Sequence, residues 1–342
     1  MKSNLILLLI CALVGLSFTS ERVLSLVYPS YFPSPSYNLS QNPLVQERID
    51  LGQMLFYDPI LSKDLSISCA SCHSPYNAFA HTDHDLSHGM NDSIGTRNAP
   101  ALFNLAWQET FMWDGAINHL DMQSLAPLSH PSEMGENIKD VVEKLLNTTR
   151  YRTAFYKAWS DSVPTGERFL KSITQFQLTL VSATAKYDRV RAGEDFLSPQ
   201  EAMGYGLFKD HCSSCHTEPL FSSYGFANNG LPVDSTLDDH GRYGVTKNPE
   251  DSLLFKIPSL RNLSYTFPYM HDGRFSKLNE VLNHYNRLKP GMIDESMLSR
   301  SLNLSSKDKA DLISFLMTLN DTAFVFNPQN KYPQSLQVIS KN

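Results

Sequence analysis

Two copies of one short motif stand out in the chain, Cys69-Ala70-Ser71-Cys72-His73 and Cys212-Ser213-Ser214-Cys215-His216. Each copy places two thiols three positions apart, with a histidine directly after the second thiol. Thiols at this spacing can form thioether bonds to the two vinyl groups of one haem, and the histidine then lies beneath the iron as an axial ligand. The motifs therefore predict two covalently bound c-type haems, with His73 and His216 as iron ligands.

Three alternatives to haem attachment stay open for the paired cysteines at this point. A structural zinc site can use two Cys-x-x-Cys pairs, but it does not require a histidine after each pair. Disulfides are natural in an exported chain, although they do not require a two-residue spacing that is followed twice by histidine. A thioredoxin-like redox motif occurs once, near a βαβ pattern, and this sequence lacks that pattern.

Length and composition indicate a globular protein with two domains. The chain has 342 residues, of which 42% are hydrophobic and 19% are charged, whereas single domains usually have about 100–200 residues. The net charge is −6, and no dense run of lysine and arginine is present to neutralise a phosphate backbone. We therefore expect no nucleic-acid partner.

The first 19 residues are typical of a secretory signal. Lys2 is followed by an apolar run from Leu5 to Leu16 and then by small and polar residues. This run is shorter than the roughly 20 apolar residues that span a membrane. We therefore predict a signal peptide at residues 1–19 and a mature protein that is soluble and periplasmic. Because Cys11 has further apolar residues after it, a lipid anchor at this cysteine is disfavoured.

Composition also divides the rest of the chain. Pro and Ser are frequent before the first helical pattern, and Ala192-Gly193 and Pro199 interrupt a later one. The predicted parts are an N-terminal tether at 20–41, a first haem domain at 42–191, a second haem domain at 192–325 and a C-terminal tail at 326–342.

Hydrophobic residues recur at helical spacing, and alternating strand patterns are scarce. The first helix is expected to start with Asn42 as its cap and Pro43 at its first position. Later helices are predicted at Ile138–Leu146, at Glu167–Arg189, from the Ser198-Pro199 capping box, at Lys277–Asn286 and at Lys307–Leu319. The predicted fold class is mainly α, with two cytochrome c-like domains that each carry one covalently bound c-type haem.

A weak internal repeat precedes the two cysteine motifs. Gly52–Asp58 and Gly204–Asp210 share the pattern Gly-x-x-Leu-Phe-x-Asp, and each lies on a predicted helix. The matched position upstream of both cysteine pairs predicts a duplicated structural unit.

Further motifs surround both cysteine pairs in a fixed order. They are Leu86-Ser87-His88-Gly89, Gly95–Pro100, Met112-Trp113-Asp114-Gly115, Pro131–Met134, Pro258–Asn262 and Thr266–Gly273. With the cysteine pairs, this ordered set resembles the bacterial di-haem cytochrome c peroxidases and their MauG-like relatives, over roughly residues 43–319.

The resemblance implies roles for individual residues. His73 would be the proximal ligand of a peroxidatic haem in the first domain, and His216 that of an electron-transfer haem in the second. His88 matches a displaceable distal histidine, Trp113 the tryptophan between the haems, and Glu133 the distal acid/base carboxylate. A carboxylate in a mostly apolar pocket is also chemically suited to move a proton between the two oxygens of a peroxide.

A calcium site is implied in the same way. Asn98, Thr266 and Pro268 match the ligands of an inter-domain calcium ion in the family. Amide and carbonyl oxygens are suitable ligands for this hard cation.

Tyr285 is where the sequence departs from most peroxidases of the family, which have a methionine ligand there. A tyrosine at this position is similar to MauG, in which it ligates the iron. In the predicted helix, Tyr285 shares a buried face with Leu278, Val281 and Leu282. A hydrogen-bonded core tyrosine is the alternative, as is a ligand from another side chain, namely Met270, Met292 or His284.

The sequence thus predicts a haem peroxidase that reduces hydrogen peroxide to water. Its expected electron donor is a small cytochrome c or a cupredoxin-type protein, and a homodimer is compatible with the resemblance. One alternative is a MauG-like enzyme that oxidises side chains of a partner protein, which Tyr285 favours. The other is a di-haem electron carrier without catalysis.

Overall fold

The structure is a computed structural model that describes residues 22–288 and 302–337. The predicted signal peptide with Cys11, and Met292, lie outside the described residues. In the described ranges the protein is mainly helical, as predicted, and no helix there has the length and apolarity needed to cross a membrane. The α-helices are α1 (Gln46–Tyr57), α2 (Cys69–Cys72), α3 (Leu120–Gln123), α4 (Leu125–Ser129), α5 (Ile138–Leu146), α6 (Thr149–Trp159), α7 (Gly166–Leu178), α8 (Lys186–Ala192), α9 (Pro199–His211), α10 (Tyr243–Thr246), α11 (Leu278–Arg287), α12 (Ser306–Met317), α13 (Thr322–Val325) and α14 (Gln334–Gln337).

Two short strands form the only sheet in the described part of the chain. They are β1 (Phe226–Ala227) and β2 (Phe255–Lys256), which pair antiparallel with Phe226 opposite Lys256. Short 3₁₀ helices lie at Pro59–Leu61, Pro75–Asn77, Met90–Asp92, Leu105–Trp107, Pro249–Asp251 and Pro328–Asn330.

The two glycines of the repeat hold equivalent helix pairs together. A Cβ atom on Gly52 would lie 1.9 Å from the carbonyl oxygen of Ser172, and one on Gly204 would lie 1.9 Å from that of Asp311. Only glycine therefore allows α1 to approach α7 and α9 to approach α12 so closely. This correspondence supports the predicted duplicated unit, which stays a prediction.

Phenylalanines repeat in the same way inside the two hydrophobic cores. Phe56 packs on Phe176 of α7 with ring centroids 5.3 Å apart, and Phe208 packs on Phe315 of α12 at 5.2 Å. All four rings are buried. Burying a side chain of this size contributes about 1.5–3 kcal/mol, so each helix pair has its own source of stability.

Two helix predictions need correction. Asn42 does not cap α1, which begins at Gln46 after Val45. Its side chain instead donates to the carbonyl oxygen of Lys171 and accepts from Gln175, because the extended chain before α1 runs along α7.

The predicted helix at Glu167–Arg189 is two helices, α7 and α8. The segment between them is held extended by buried side chains: Asp321 accepts hydrogen bonds from the hydroxyl groups of Ser182 and Thr184, and Asn104 pairs with the backbone of Ser182. These long-range bonds compete with a continuous helix and are not visible in local periodicity.

Four other helices agree with the prediction. Helix α5 has the predicted bounds, α11 and α12 start within one residue of the predicted position, and α9 carries the predicted capping box.

The predicted tether is also wrong for its described part. Phe32 is buried in the first core, the Tyr31 hydroxyl donates to Asp188, and the Trp107 indole donates to the carbonyl oxygen of Pro33. Aromatic residues in this segment bury apolar area against the domain, which a composition count of Pro and Ser does not show.

The predicted C-terminal tail likewise packs on the first core. Leu336 is buried there, and so are Phe324 and Val325 just before the tail. The second core includes Tyr187, which precedes the predicted boundary. The limits at 42–191 and 192–325 stay predictions.

Candidate active site

Both motif histidines are oriented by the same kind of hydrogen bond. His73 donates from Nδ1 to the carbonyl oxygen of Phe79 at 2.9 Å, and His216 Nδ1 lies 3.3 Å from the carbonyl oxygen of Phe221 and 3.1 Å from that of Pro258. Burial lowers the pKa of each histidine to about 4. Each imidazole is therefore neutral with Nε2 available to a metal, which is the usual arrangement of a ligating histidine.

The two accepting phenylalanines have an uncommon backbone conformation. The φ angle is 60° at Phe79 and 55° at Phe221, in the left-handed region. Each ring packs on the phenylalanine of its repeat helix, Phe79 on Phe56 at 5.8 Å and Phe221 on Phe208 at 5.3 Å. Such backbone strain costs about 1–3 kcal/mol and persists where packing enforces it. The duplicated core thus aims a carbonyl group at each histidine.

The two motif cysteine pairs lie at separate cores, and no disulfide links the four cysteines among the described residues. Cys69 packs on the first core and Cys212 on the second, so the two pairs do not form one four-cysteine zinc site. Within residues 22–288 and 302–337, no group of three or more Cys, His, Asp or Glu side chains is placed to hold a metal ion. A cysteine pair beside a neutral, oriented histidine fits covalent haem at both sites.

The second motif opens into a cavity of about 290 Å³. Its walls include Cys212, Cys215 and His216 of the second domain and also Trp113 of the first. Residues of both predicted domains therefore enclose one space, which places an aromatic side chain of the first domain at the edge of the second haem site.

Tyr285 lines this cavity from α11, together with the predicted face of Leu278, Val281 and Leu282. Burial raises its pKa to about 12, and the thiols of Cys212 and Cys215 add to the rise. Of the alternative ligands, Met270 also lines the cavity, whereas His284 Nε2 bonds to the carbonyl oxygen of Asn229 at 2.8 Å. Iron ligation by Tyr285 stays a prediction.

Glu133 lies in a turn at residues 131–134, close to the first motif. Burial raises its pKa, against the opposing effect of His130. Burial also raises the pKa of Cys69 and Cys72, and the Glu133 carboxylate adds to both shifts, which shows its proximity to the thiols. A carboxyl group of raised pKa beside the haem-attachment thiols is placed to exchange a proton with a ligand there.

His88 lies beside the same motif through its backbone. Its carbonyl oxygen is 3.8 Å from the Sγ atom of Cys72. The imidazole ring pairs with Asp92 through Nδ1 and stacks on His84 with centroids 4.6 Å apart. Ligation of the iron by His88 stays a prediction.

Trp113 connects the two predicted domains through its backbone, and its ring is held within the first domain. The indole Nε1 donates to the carbonyl oxygen of Asn98 at 2.8 Å, and the carbonyl oxygen of Trp113 accepts from the backbone N–H of Lys256 at 2.7 Å. The next residue, Asp114, pairs with Arg97, which also pairs with Asp239 of the second domain. The tryptophan is thus held rigidly at the domain interface.

The three predicted calcium ligands line one cavity at this interface. The side-chain amide of Asn98 bonds to the carbonyl oxygen of Pro268 at 2.7 Å, and Thr266 lines the same cavity. An amide oxygen and backbone carbonyl oxygens are of the ligand type that calcium prefers. The residues fit the ion, whose binding stays a prediction.

Sequence reasoning missed Gln123, which is buried and lines the cavity near Trp113. Its Oε1 atom accepts from Gln177 on α7 at 3.4 Å, and its amide lies 3.9 Å from the Sδ atom of Met112. No motif marks a glutamine on a short helix, and only its burial shows that it belongs to the site.

The chain matches two family models. Residues 46–196 match the model described as di-haem cytochrome c peroxidase, and residues 201–320 match the model described as cytochrome c. Each match contains one of the two cysteine motifs.

Known relatives and solved structures show the same similarity. The methylamine utilization protein MauG of Methylorubrum extorquens is 33% identical over 312 residues, which cover 88% of this chain and 85% of the relative. Cytochrome c551 peroxidase of Nitrosomonas europaea is 33% identical, with 79% of each chain covered. A solved MauG-like protein associated with microbial copper homeostasis has a TM-score of 0.81 at 29% identity, covering 91% of this chain and 99% of that one.

Proposed function

Since the chain belongs to the family of di-haem cytochrome c peroxidases and MauG-like proteins, we propose that it reduces hydrogen peroxide to water in the periplasm. A small cytochrome c or a cupredoxin-type protein supplies the electrons. The observation that carries the proposal is the position of Glu133, a carboxyl group of raised pKa beside the first motif.

Two haems would be held by equivalent sets of residues. Cys69, Cys72 and His73 hold one, and Cys212, Cys215 and His216 hold the other. Each haem supplies a redox-active iron, and that of the first site is where peroxide is reduced. Asn98, Thr266 and Pro268 hold a calcium ion at the domain interface.

Glu133 performs the proton transfer in this proposal. Its carboxylate takes the proton from the peroxide oxygen nearer the first site and gives it to the far oxygen, which leaves as water when the O–O bond breaks. Two electrons from the donor protein and two further protons then convert the near oxygen into the second water. The raised pKa of Glu133 suits both halves of this task, because a group with a pKa nearer to neutral accepts and releases protons readily.

The remaining residues control access and connect the sites. His88 closes the distal side of the first site until its loop moves. Trp113 lies on the electron path between the two sites. The hydrogen bond from its ring to Asn98 and the one from Lys256 to its backbone keep it in place. Tyr285 would hold the iron of the second site together with His216.

The proposal is tested by Glu133→Gln in the mature di-haem protein, with Glu143→Gln on the exposed face of α5 as the control. Peroxide consumption with a reduced cytochrome donor should fall by roughly 100-fold in the first variant, as expected for loss of an acid/base group, and stay unchanged in the second. Unchanged turnover in Glu133→Gln would overturn the proposal and favour an electron carrier.

A second candidate function is favoured by Tyr285 in the cavity beside Cys212 and Cys215. A phenolate ligand stabilises Fe(III) and lowers the reduction potential, which suits storage of oxidising equivalents for a partner protein's side chains. This MauG-like function predicts slow peroxide turnover with a reduced cytochrome. The same steady-state assay therefore separates the two functions.

A further inference from the structure

Tyr224 carries a buried hydroxyl group that has no hydrogen-bond partner within the described ranges. The residue is held in a left-handed conformation, with φ of 53°. Its backbone N–H donates to the Ser222 hydroxyl oxygen at 2.8 Å, and that hydroxyl donates to the carbonyl oxygen of Ile257 at 2.6 Å. Buried polar groups in proteins are nearly always paired, so this fixed phenol indicates a partner other than the described residues.

The side chain of Tyr224 lines the cavity that contains the second cysteine motif. The short ribbon of β1 and β2 connects it to Lys256: Phe226 pairs with Lys256, and Ile257 donates to the carbonyl oxygen of Gly225 at 2.8 Å. Lys256 lines the same cavity. A hydroxyl donor and an ammonium group thus enter one enclosed space from neighbouring positions.

Among residues 22–288 and 302–337, the ammonium group of Lys256 has only neutral hydrogen-bond partners. Its Nζ atom donates to Gln108 Oε1 at 3.1 Å and to the carbonyl oxygen of Thr110 at 2.8 Å. Burial lowers the pKa of Lys256 to about 7, and only the more distant Asp114 opposes the shift. A cation in this environment favours a nearby anion.

No described residue supplies that anion from the cavity wall. The only other lysine or arginine among the described lining residues, Arg261, is already paired with Asp188 through two hydrogen bonds of 2.8 Å. No aspartate or glutamate of the described chain lines the cavity. The cavity therefore offers an unneutralised cation and a free donor, the two groups that bind a carboxylate.

We propose that Tyr224 and Lys256 form a carboxylate-binding pair that receives the anionic side groups of the haem held by Cys212, Cys215 and His216. The inference rests on the proposed function, because it needs a haem at the second site. Tyr224 and Lys256 would thus bind the haem carboxylates in addition to the thioether bonds and the histidine ligand.

The test uses the mature di-haem protein and variants Tyr224→Phe, Lys256→Met and Lys256→Arg. Tyr269→Phe is the matched control, because Tyr269 lines the same cavity but its hydroxyl already donates to the carbonyl oxygen of Leu263 at 2.8 Å. The haem content of each variant is measured first, and the midpoint potential of the second haem is then measured by spectroelectrochemistry.

Removal of a positive charge or a donor from a haem carboxylate leaves more negative charge near the iron, which stabilises Fe(III). Lys256→Met should therefore lower the potential by roughly 59 mV, a tenfold change in the one-electron equilibrium. Tyr224→Phe should lower it by less, and Lys256→Arg and Tyr269→Phe should leave it near the wild-type value. The potential shift in the double variant of Tyr224→Phe and Lys256→Met should be smaller than the sum of the two single shifts, because both groups bind one partner.

Unchanged potentials in Tyr224→Phe and Lys256→Met, with two haems per chain, would overturn the carboxylate-binding pair and leave the proposed function intact. A fully additive double variant would also overturn it, since the two groups would then act on different partners. Failure of the proposed function has a different signature, namely fewer than two haems or no peroxide turnover in the unmodified protein.

Discussion

The backbone N–H of Met90 donates a hydrogen bond to the carbonyl oxygen of Glu133 at 3.0 Å. This bond joins the loop that carries His88 to the turn that carries the acidic residue. The preceding Gly89 packs just as closely, because a Cβ atom there would lie 2.0 Å from the carbonyl oxygen of Ser132. A movement of one segment therefore displaces the other, and the two proposed distal residues are coupled through backbone contacts.

Gly89→Ala should separate the two segments. The added methyl group cannot fit against the Ser132 carbonyl group, so the Glu133 turn must shift, and a displacement of about 1 Å can reduce turnover by roughly 100-fold. Peroxide turnover at equal haem content is the measurement. Gly95→Ala in the same loop is the control, because its nearest contact is 3.4 Å; equal losses in both variants would contradict the coupling.

The pH profile of peroxide turnover should have an acidic limb that belongs to Glu133. Burial raises the pKa of this residue, so its carboxylate becomes protonated, and unable to accept a proton, at a pH above the ordinary glutamate value of about 4.3. Turnover should fall as the pH decreases through this raised pKa. Glu133→Gln should remove the limb from the residual activity, and a limb that persists in this variant would assign it to another group.

Tyr285→Phe should change the spectrum of the second haem and leave that of the first unchanged. Loss of a phenolate ligand alters the axial field of the iron and removes the group that stabilises Fe(III). Electron paramagnetic resonance of the oxidised protein measures both irons together. Tyr269→Phe serves as the control for loss of a hydroxyl from the same cavity, and identical spectra for wild type and Tyr285→Phe would show that Tyr285 is a core residue.

Gly204→Ala should destabilise the second domain by roughly 3 kcal/mol, because the methyl group would overlap the Asp311 carbonyl group and force α9 away from α12. Gly206→Ala on the same helix meets no atom within 4 Å, and it should be neutral or stabilising by up to about 1 kcal/mol. Denaturant unfolding followed by circular dichroism measures both. Similar values for the two variants would refute the close helix contact.

Local patterns predicted those features that depend on short stretches of chain. The spacing of Cys69, Cys72 and His73 predicts haem attachment, because the three side chains lie within one short stretch of chain. The Ser198-Glu201 capping box started α9 as expected, since its hydrogen bonds lie within one turn of helix.

Features that depend on distant partners were not predictable in this way. Asn42 had the sequence context of a cap, yet Lys171 and Gln175 provide partners that only the packed structure brings within reach. The break between α7 and α8 has the same origin, because Asp321 lies more than 130 positions from Ser182 and Thr184. Local propensity is a weak preference that tertiary contacts override.

The sequence by itself determined that the protein is mainly helical and carries two Cys-x-x-Cys-His motifs, because those properties follow from spacing and from helical periodicity. Only the tertiary structure decided how the units meet: that Phe79 and Phe221 orient the motif histidines, that Met90 ties the His88 loop to Glu133, and that Tyr224 and Lys256 enter one cavity. The physical reason is that burial and hydrogen bonding between residues far apart in the chain depend on how the helices pack, which no local pattern records.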